Sequence, residues 1–145
     1  MKKAIILLVA ALGLAVAASA QPKALGVRLG YGGEISYEHG IGPHFLEADL
    51  GWYVGGFSLT GVFNFVFASA GPVNFYVGPG AQVGFYNYQG GAAVNVGAGG
   101  MLGLEWNIPS IPLQLSLDWR PMYHFLGEHA EFIYAGAGLG IRYRF

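Results

Sequence analysis

The sequence predicts an all-β fold: an eight-stranded antiparallel up-and-down transmembrane β-barrel behind a cleaved N-terminal signal peptide. Three observations lead there. Of the 145 residues, 54% are hydrophobic and only 10% charged, whereas a soluble domain carries about 25% charged residues and has a water-facing surface to furnish. No apolar run after position 20 approaches the roughly 18–20 residues a spanning helix requires. From Ala24 to the C-terminal Phe145, apolar and polar or small residues alternate with period two, the pattern of half-buried strands.

The leader comes first. Lys2 and Lys3 precede an apolar core from Ala4 to Ala17, and Ala18-Ser19-Ala20 has the small-x-small form cut by signal peptidase. Cleavage after Ala20 leaves Gln21 as the mature N-terminus, so positions 1–20 are the signal peptide and 21–145 one barrel domain. The alternative, a retained anchor helix, suffers from a core shorter than a span of about 20 residues. A net charge of −1 without a basic cluster argues against nucleic acid as a partner. The absence of cysteine removes disulfides, thiolate metal sites, thiol catalysis and an acylated lipoprotein anchor.

Eight runs follow in order: Ala24 to Gly32, Glu34 to Ile41, Phe45 to Val54, Phe57 to Phe67, Val73 to Tyr88, Ala93 to Ile108, Pro112 to Phe125 and Phe132 to Phe145. A spanning strand needs about 9–11 residues, so eight fit and ten would be cramped. In the last run Ile133, Ala135, Ala137, Leu139, Ile141, Tyr143 and Phe145 share one face, while Tyr134, Gly136, Gly138, Gly140, Arg142 and Arg144 share the other. The seventh run divides in the same way, with Leu113, Leu115, Leu117, Trp119, Tyr123 and Phe125 against Gln114, Ser116, Asp118, Arg120 and His124. The polar face, nearly free of lysine, is a poor exterior for a lipocalin-like soluble barrel; turned inward it makes a narrow polar lumen.

Gly32-Gly33, Gly55-Gly56, Gly90-Gly91 and the Gly127 to Glu131 stretch fall at alternate connections, and Gly42-Pro43, Gly71-Pro72 and Pro109 to Pro112 at the others. Two turn chemistries match two barrel ends facing different compartments, with Gly-Gly supplying positive φ and Pro stiffening the short turns. Pro79 and Pro121 fall inside runs five and seven, where a missing N–H calls for a bulge or a strand boundary.

With the N-terminus periplasmic, Tyr31, Trp52, Phe57, Phe85 and Phe125 gather at the outer rim as an aromatic girdle. Phe67, Phe75, Trp106, Tyr143 and Phe145 gather at the inner rim. Arg28, Glu38, Glu47, Asp49, Glu105, Asp118, Arg120 and Arg142 point inward. An eight-stranded barrel is just wide enough for side chains to fill it, so these charges are expected to pair as a plug with Arg120 and Arg142 as hubs. The alternatives are an ion path, or a ligand pocket beside the inward glycines at 78, 80, 84, 97, 99, 103, 136, 138 and 140.

Catalytic candidates are few. His124, His129, Glu128 and Glu131 could supply the base and acid of a lipid-modifying enzyme near the outer rim, but no serine is close in sequence; Ser116 lies well down its strand. The His124, His129 and Glu131 spacing matches no structural zinc pattern, and no Gly-rich segment leads into Lys-Ser or Lys-Thr as a phosphate loop would. His39 projects to the lipid side near the inner rim. No cofactor and no enzymatic activity are therefore expected.

The segment from Gly136 to Phe145, ending AGLGIRYRF, resembles the C-terminal insertion signal of outer-membrane barrels. The resemblance implies recognition by the barrel assembly machinery, with Leu139, Ile141, Tyr143 and Phe145 on the recognised face. Gly26 to Tyr31 and Pro112 to Pro121 are similar to small Bacteroidetes-type outer-membrane β-barrel proteins, architecturally like OmpX and the OmpA membrane domain. That likeness spans the mature chain. It supplies no catalytic residue; the signal peptide, the eight alternating runs and the terminal Phe145 lead to the expectation of a monomeric or weakly associated barrel in outer-membrane lipid and lipopolysaccharide with a structural or envelope-maintenance role.

Overall fold

The computed structural model describes residues 2–8, 23–30, 32–53, 56–88, 90–126, 131–133 and 136–145. Residues 2–8 are helical with exposed side chains, and no helix among the described residues is long and apolar enough to cross a membrane. The cleavage-site residues Ala18, Ala20 and Gln21 lie outside the described residues, as do Tyr31, Glu128 and His129.

Ten strand segments follow: β1 (Lys23–Leu29), β2 (Gly33–Ile41), β3 (His44–Tyr53), β4 (Gly56–Ala70), β5 (Val73–Tyr88), β6 (Gly91–Asn107), β7 (Leu113–Trp119), β8 (Met122–Leu126), β9 (Glu131–Ile133) and β10 (Ala137–Arg144). Each of β1 to β6 pairs antiparallel with the next, β6 pairs with both β7 and β8, and these pair with β10 and β9. Thus β7 with β8, and β9 with β10, are interrupted halves of single staves, and the sheet is an eight-stranded barrel. Closure is made by β1 against β10, where Val27 faces Ile141 and Phe145 N–H donates to the Lys23 carbonyl at 2.9 Å.

The two in-strand prolines are accommodated differently. At Pro121 the seventh stave breaks between Trp119 and Met122, but the register against β6 carries across the break (Leu102 with Trp119, Gly99 with Met122) and shifts only further along β8, between Val96 and Gly97. Gly100 N–H reaches the Pro121 carbonyl at 3.2 Å, and Arg120 N–H reaches Gly136 O at 3.0 Å, so the break leaves these groups paired. At Pro79 there is neither boundary nor bulge: β5 runs through it, and Pro79 faces Gly100 in unbroken register with β6. Its missing N–H falls on the β4 side, where pairing is interrupted between Val62 opposite Gly80 and Phe65 opposite Val77. The register shift in this hairpin lies elsewhere, between Val66 and Ala68, past Asn64, the last β4 residue paired with β3.

Positive φ is also distributed otherwise than expected. Among the described residues it occurs at Gly42 (61°), Gly71 (60°) and Gly90 (79°), so the Gly90-Gly91 pair uses it and Gly32-Gly33 does not, while Gly55 lies outside the described residues. The two Gly-Pro turns use it instead. Gly42-Pro43 and Gly71-Pro72 are two-residue hairpin loops closed by Ile41 opposite His44 and Ala70 opposite Val73. Glycine at the first central position with positive φ is the type II′ requirement, and proline's fixed negative φ suits the second.

The outward wall is apolar. Trp52, Phe57, Phe85 and Phe125 are exposed toward the end opposite the termini, and Trp52, Phe57 and Phe85 are consecutive cross-strand neighbours, with the Phe57 and Phe85 rings stacked at 5.0 Å. Toward the other end Phe67, Trp106, Tyr143 and Phe145 are exposed and Phe75 is half-buried. Leu139 and Ile141 continue this face. His44, the first residue of β3, accepts the Val66 N–H at 3.0 Å while packing edge-on against Phe65, which gives a backbone donor beyond the β3–β4 ladder a partner. His39, half-buried on the same wall, is hydrogen-bonded to Tyr37 Oη at 2.9 Å.

Because a Cβ on Gly71 would meet nothing within 4 Å, Gly71→Ala is strained by its backbone alone, by about 1–2 kcal/mol. Gly61 also has open space but no positive φ, so Gly61→Ala is expected to leave the urea unfolding midpoint unchanged while Gly71→Ala lowers it.

Candidate functional site

Side chains on the inner faces of the staves converge on the barrel axis and fill it. Every inward charge singled out from the sequence is buried: Arg28, Glu38, Glu47, Asp49, Glu105, Asp118, Arg120 and Arg142 are all at most 6% exposed. Alternation puts them there, since Glu47 and Asp49 share one side of β3, and Gln114, Ser116 and Asp118 one side of β7.

Three guanidinium groups organise the charges. Near mid-barrel, Arg28 Nε reaches both Asp118 oxygens (3.1 and 3.0 Å), its Nη2 binds the same carboxylate and the Gly136 carbonyl, and its Nη1 meets Glu34 Oε2 at 3.1 Å. Arg120 takes the other Glu34 oxygen at 2.5 Å and Asp49 Oδ2 at 2.6 Å, so Glu34 bridges two arginines. Arg142, fully buried, lies toward the terminal end. It pairs with Glu38 and Glu47 at 2.9 Å each, and donates to the hydroxyls of Ser36 (2.7 Å) and Ser116 (3.0 Å) and to Gln114 Oε1 (3.3 Å). Such buried pairs hold only when the geometry is good and remaining polar atoms are satisfied. Planar guanidinium forks gripping several acceptors supply that geometry.

Several members were not singled out from the sequence. Glu34 has the same parity as Glu38, so the alternation that found one could have found the other. Ser36, Gln114 and Ser116 lie on the inward face but carry no charge to mark them. Sequence periodicity also gives no sign of the apolar seam in which Phe45, Val62, Tyr76 and Met101 are buried together, with the Phe45 and Tyr76 rings edge-on at 4.9 Å.

The glycine-walled pocket is not formed. A Cβ at Gly138 would lie 2.6 Å from the Arg28 guanidinium carbon, at Gly140 2.2 Å from Ser116 Oγ, at Gly97 2.5 Å from the His124 ring and at Gly103 2.7 Å from Tyr76 Oη. At these positions side chains of the adjoining staves occupy the space a Cβ would need, and at Gly78, Gly99 and Gly136 the neighbouring backbone does. Glycine is needed because the wall and its occupant are already in contact. His124 is itself a lumen residue, 4% exposed, hydrogen-bonded to Gln82 Oε1 at 2.8 Å; Gln82 in turn donates to Thr60 Oγ1. Its inward position is the one its parity in the seventh run gives. The backbone of Glu131 pairs opposite it. Among the described residues no group of three His, Asp or Glu side chains is placed to hold a metal ion.

Open space lies at the mouth where the chain termini emerge. A cavity of about 350 Å³ is lined there by Glu38, Glu105, Gln114 and Asn74, by Phe45 and Val66, and by Lys23 and Arg144. Arg144 holds the adjoining loop, donating to the carbonyls of Ile108 (2.8 Å) and Ile111 (3.1 Å).

No protein-family model and no curated protein matches the chain. A solved structure does: Neisserial surface protein A, in its crystal structure, superposes with a TM-score of 0.56 over 85% of this chain and 91% of that chain, at 13% sequence identity. The likeness is one of fold.

Removing a hub strands its acids. Arg142→Met leaves Glu38 and Glu47 without their guanidinium, and a destabilisation of about 3–5 kcal/mol is expected from a lowered urea midpoint. Adding Glu47→Gln to Arg142→Met should recover part of that loss; a double variant no more stable than the single would show that the pair is not coupled.

Proposed function

We propose that the protein is an integral outer-membrane β-barrel with a structural, envelope-maintaining role and no catalytic activity. In this reading it is exported by a cleaved signal peptide, delivered to the barrel assembly machinery through its C-terminal Leu139, Ile141, Tyr143 and Phe145, and held as a monomer among outer-membrane lipid and lipopolysaccharide. The observation that carries the reading is the inside-out distribution of side chains. Leu25, Val27, Leu29, Leu59, Leu102, Leu117, Leu139 and Ile141 are all more than 40% exposed, while Arg28, Glu47, Asp49, Asp118 and Arg142 are at most 3% exposed. Water would favour the reverse arrangement. Hydrocarbon favours this one, because a closed barrel satisfies its own backbone and offers lipid only apolar surface.

A structural role fits better than conduction or catalysis because the lumen is obstructed by its own residues. Arg28, Arg120 and Arg142 reach across to carboxylates on other staves, and barrels with aqueous channels have about 16–18 strands rather than eight. The fold neighbour is described as a surface protein, which agrees with an envelope location.

Cell fractionation with semi-native electrophoresis tests location and fold together. The protein should be found in the outer-membrane fraction and migrate differently before and after boiling; recovery from soluble periplasm would overturn the assignment. In planar bilayers the refolded barrel should give no stable conductance steps, and regular steps would overturn the plugged lumen.

A further inference from the structure

Two acids on the inward side of β3, Glu47 and Asp49, are fully buried and lie two residues apart on one face of the strand. Each gives one oxygen to an arginine and keeps the other without a donor. Glu47 Oε1 accepts from Arg142 Nη2 at 2.9 Å, and Asp49 Oδ2 from Arg120 Nη1 at 2.6 Å. Glu47 Oε2 and Asp49 Oδ1 are buried with no hydrogen-bond partner among the described residues, yet the two carboxyl groups are within hydrogen-bonding reach of each other. Ser36, opposite Asp49 in register, has a single hydroxyl hydrogen to offer both acids.

The charges around the pair are already committed. Glu34 and Glu38 on β2, Tyr76 on β5, and Arg28, Arg120 and Arg142 are the charged and titratable groups that face it. Each arginine is divided between two acids: Arg142 between Glu38 and Glu47, Arg120 between Glu34 and Asp49, and Arg28 between Glu34 and Asp118. Five carboxyl groups thus share three guanidinium groups. Two carboxylates in one buried site are costly when both are ionised.

We infer that Glu47 and Asp49 hold one proton between them, and that this proton is a latch joining the Arg142 cluster to the Arg120 and Arg28 cluster, released as the solution turns alkaline. The proton supplies the donor that the two facing oxygens lack and cancels one of the excess charges. With it in place, an unbroken chain of contacts runs from Arg142 through Glu47, Asp49, Arg120, Glu34 and Arg28 to Asp118. Without it, two like charges face each other at the joint. The proton belongs to the pair and to neither residue alone. In the unfolded chain both carboxyl groups are ionised above about pH 5, so the folded barrel binds one proton more. Its stability therefore falls as pH rises, by about tenfold in the unfolding constant per pH unit, until the pair lets the proton go.

Two measurements on the full-length mature barrel in detergent micelles test the latch. The side-chain carboxyl carbon signals of Glu47 and Asp49 are followed by NMR from about pH 5 to about pH 9, above the ordinary carboxylate range. They should move together through a single one-proton step. Signals of two ionised carboxylates across that whole range, as a bridging water would leave them, would overturn the inference. In Glu47→Gln the new amide keeps an oxygen for Arg142 and offers Asp49 a permanent N–H donor. The logarithm of its urea unfolding constant should rise with pH less steeply than that of the unmodified protein, by about one per pH unit while the pair holds its proton. A slope unchanged by this substitution would overturn the shared proton, because loss of packing or of an ion pair alone shifts the midpoint and leaves the slope. The NMR titration uses no variant, so it decides the matter even if Glu47→Gln does not refold.

Discussion

Everything in this molecule depends on closing the sheet. Strand edges in hydrocarbon would expose N–H and C=O groups that water cannot reach, each costing several kcal/mol. The pairing of β1 with β10, from Ala24 opposite Arg144 to Leu29 opposite Leu139, removes the last edge. The interruptions tolerated in the wall are of two kinds. At Pro121 the adjacent carbonyl and N–H find partners on neighbouring strands, and at Pro79 the loss is confined to one side of one strand.

Closure with only eight staves also fixes the width of the lumen, and the width dictates its chemistry. Side chains from opposite walls meet, so arginines on β1, β10 and the junction between β7 and β8 grip carboxylates on β2, β3 and β7. These contacts tie together staves distant in sequence, with Arg28 and Asp118 separated by 90 positions and Arg142 and Ser36 by 106. In the proposed membrane setting, outward side chains contribute little to holding the wall in one shape, because lipid tails are as apolar as they are. The polar interior is what makes one register preferable to another, since a slip by one residue would send Glu47 and Asp49 into hydrocarbon.

The glycines and the mouth cavity follow from the same crowding. Where Arg28, Tyr76 and His124 lie against the adjoining stave, that stave has no Cβ. Filling ends at the terminal mouth, where Glu38 and Glu105 both accept from the Gln114 amide and a cavity of about 350 Å³ opens.

The sequence by itself determined the architecture and the sidedness of nearly every residue, because period-two alternation is a local property of an extended chain and does not depend on which strand lies alongside. It therefore placed the eight buried charges and the exposed aromatic residues on their respective faces. Only the tertiary structure decided which acid meets which arginine, that Glu34 bridges two of them, and that Pro79 breaks its pairing on the β4 side alone. It also decided that the glycine wall is covered and that the vacant space lies at the mouth. Those outcomes depend on stagger between strands and on how far a side chain reaches across the lumen. Both are set by closure of the whole sheet, and no stretch of alternating residues encodes them alone.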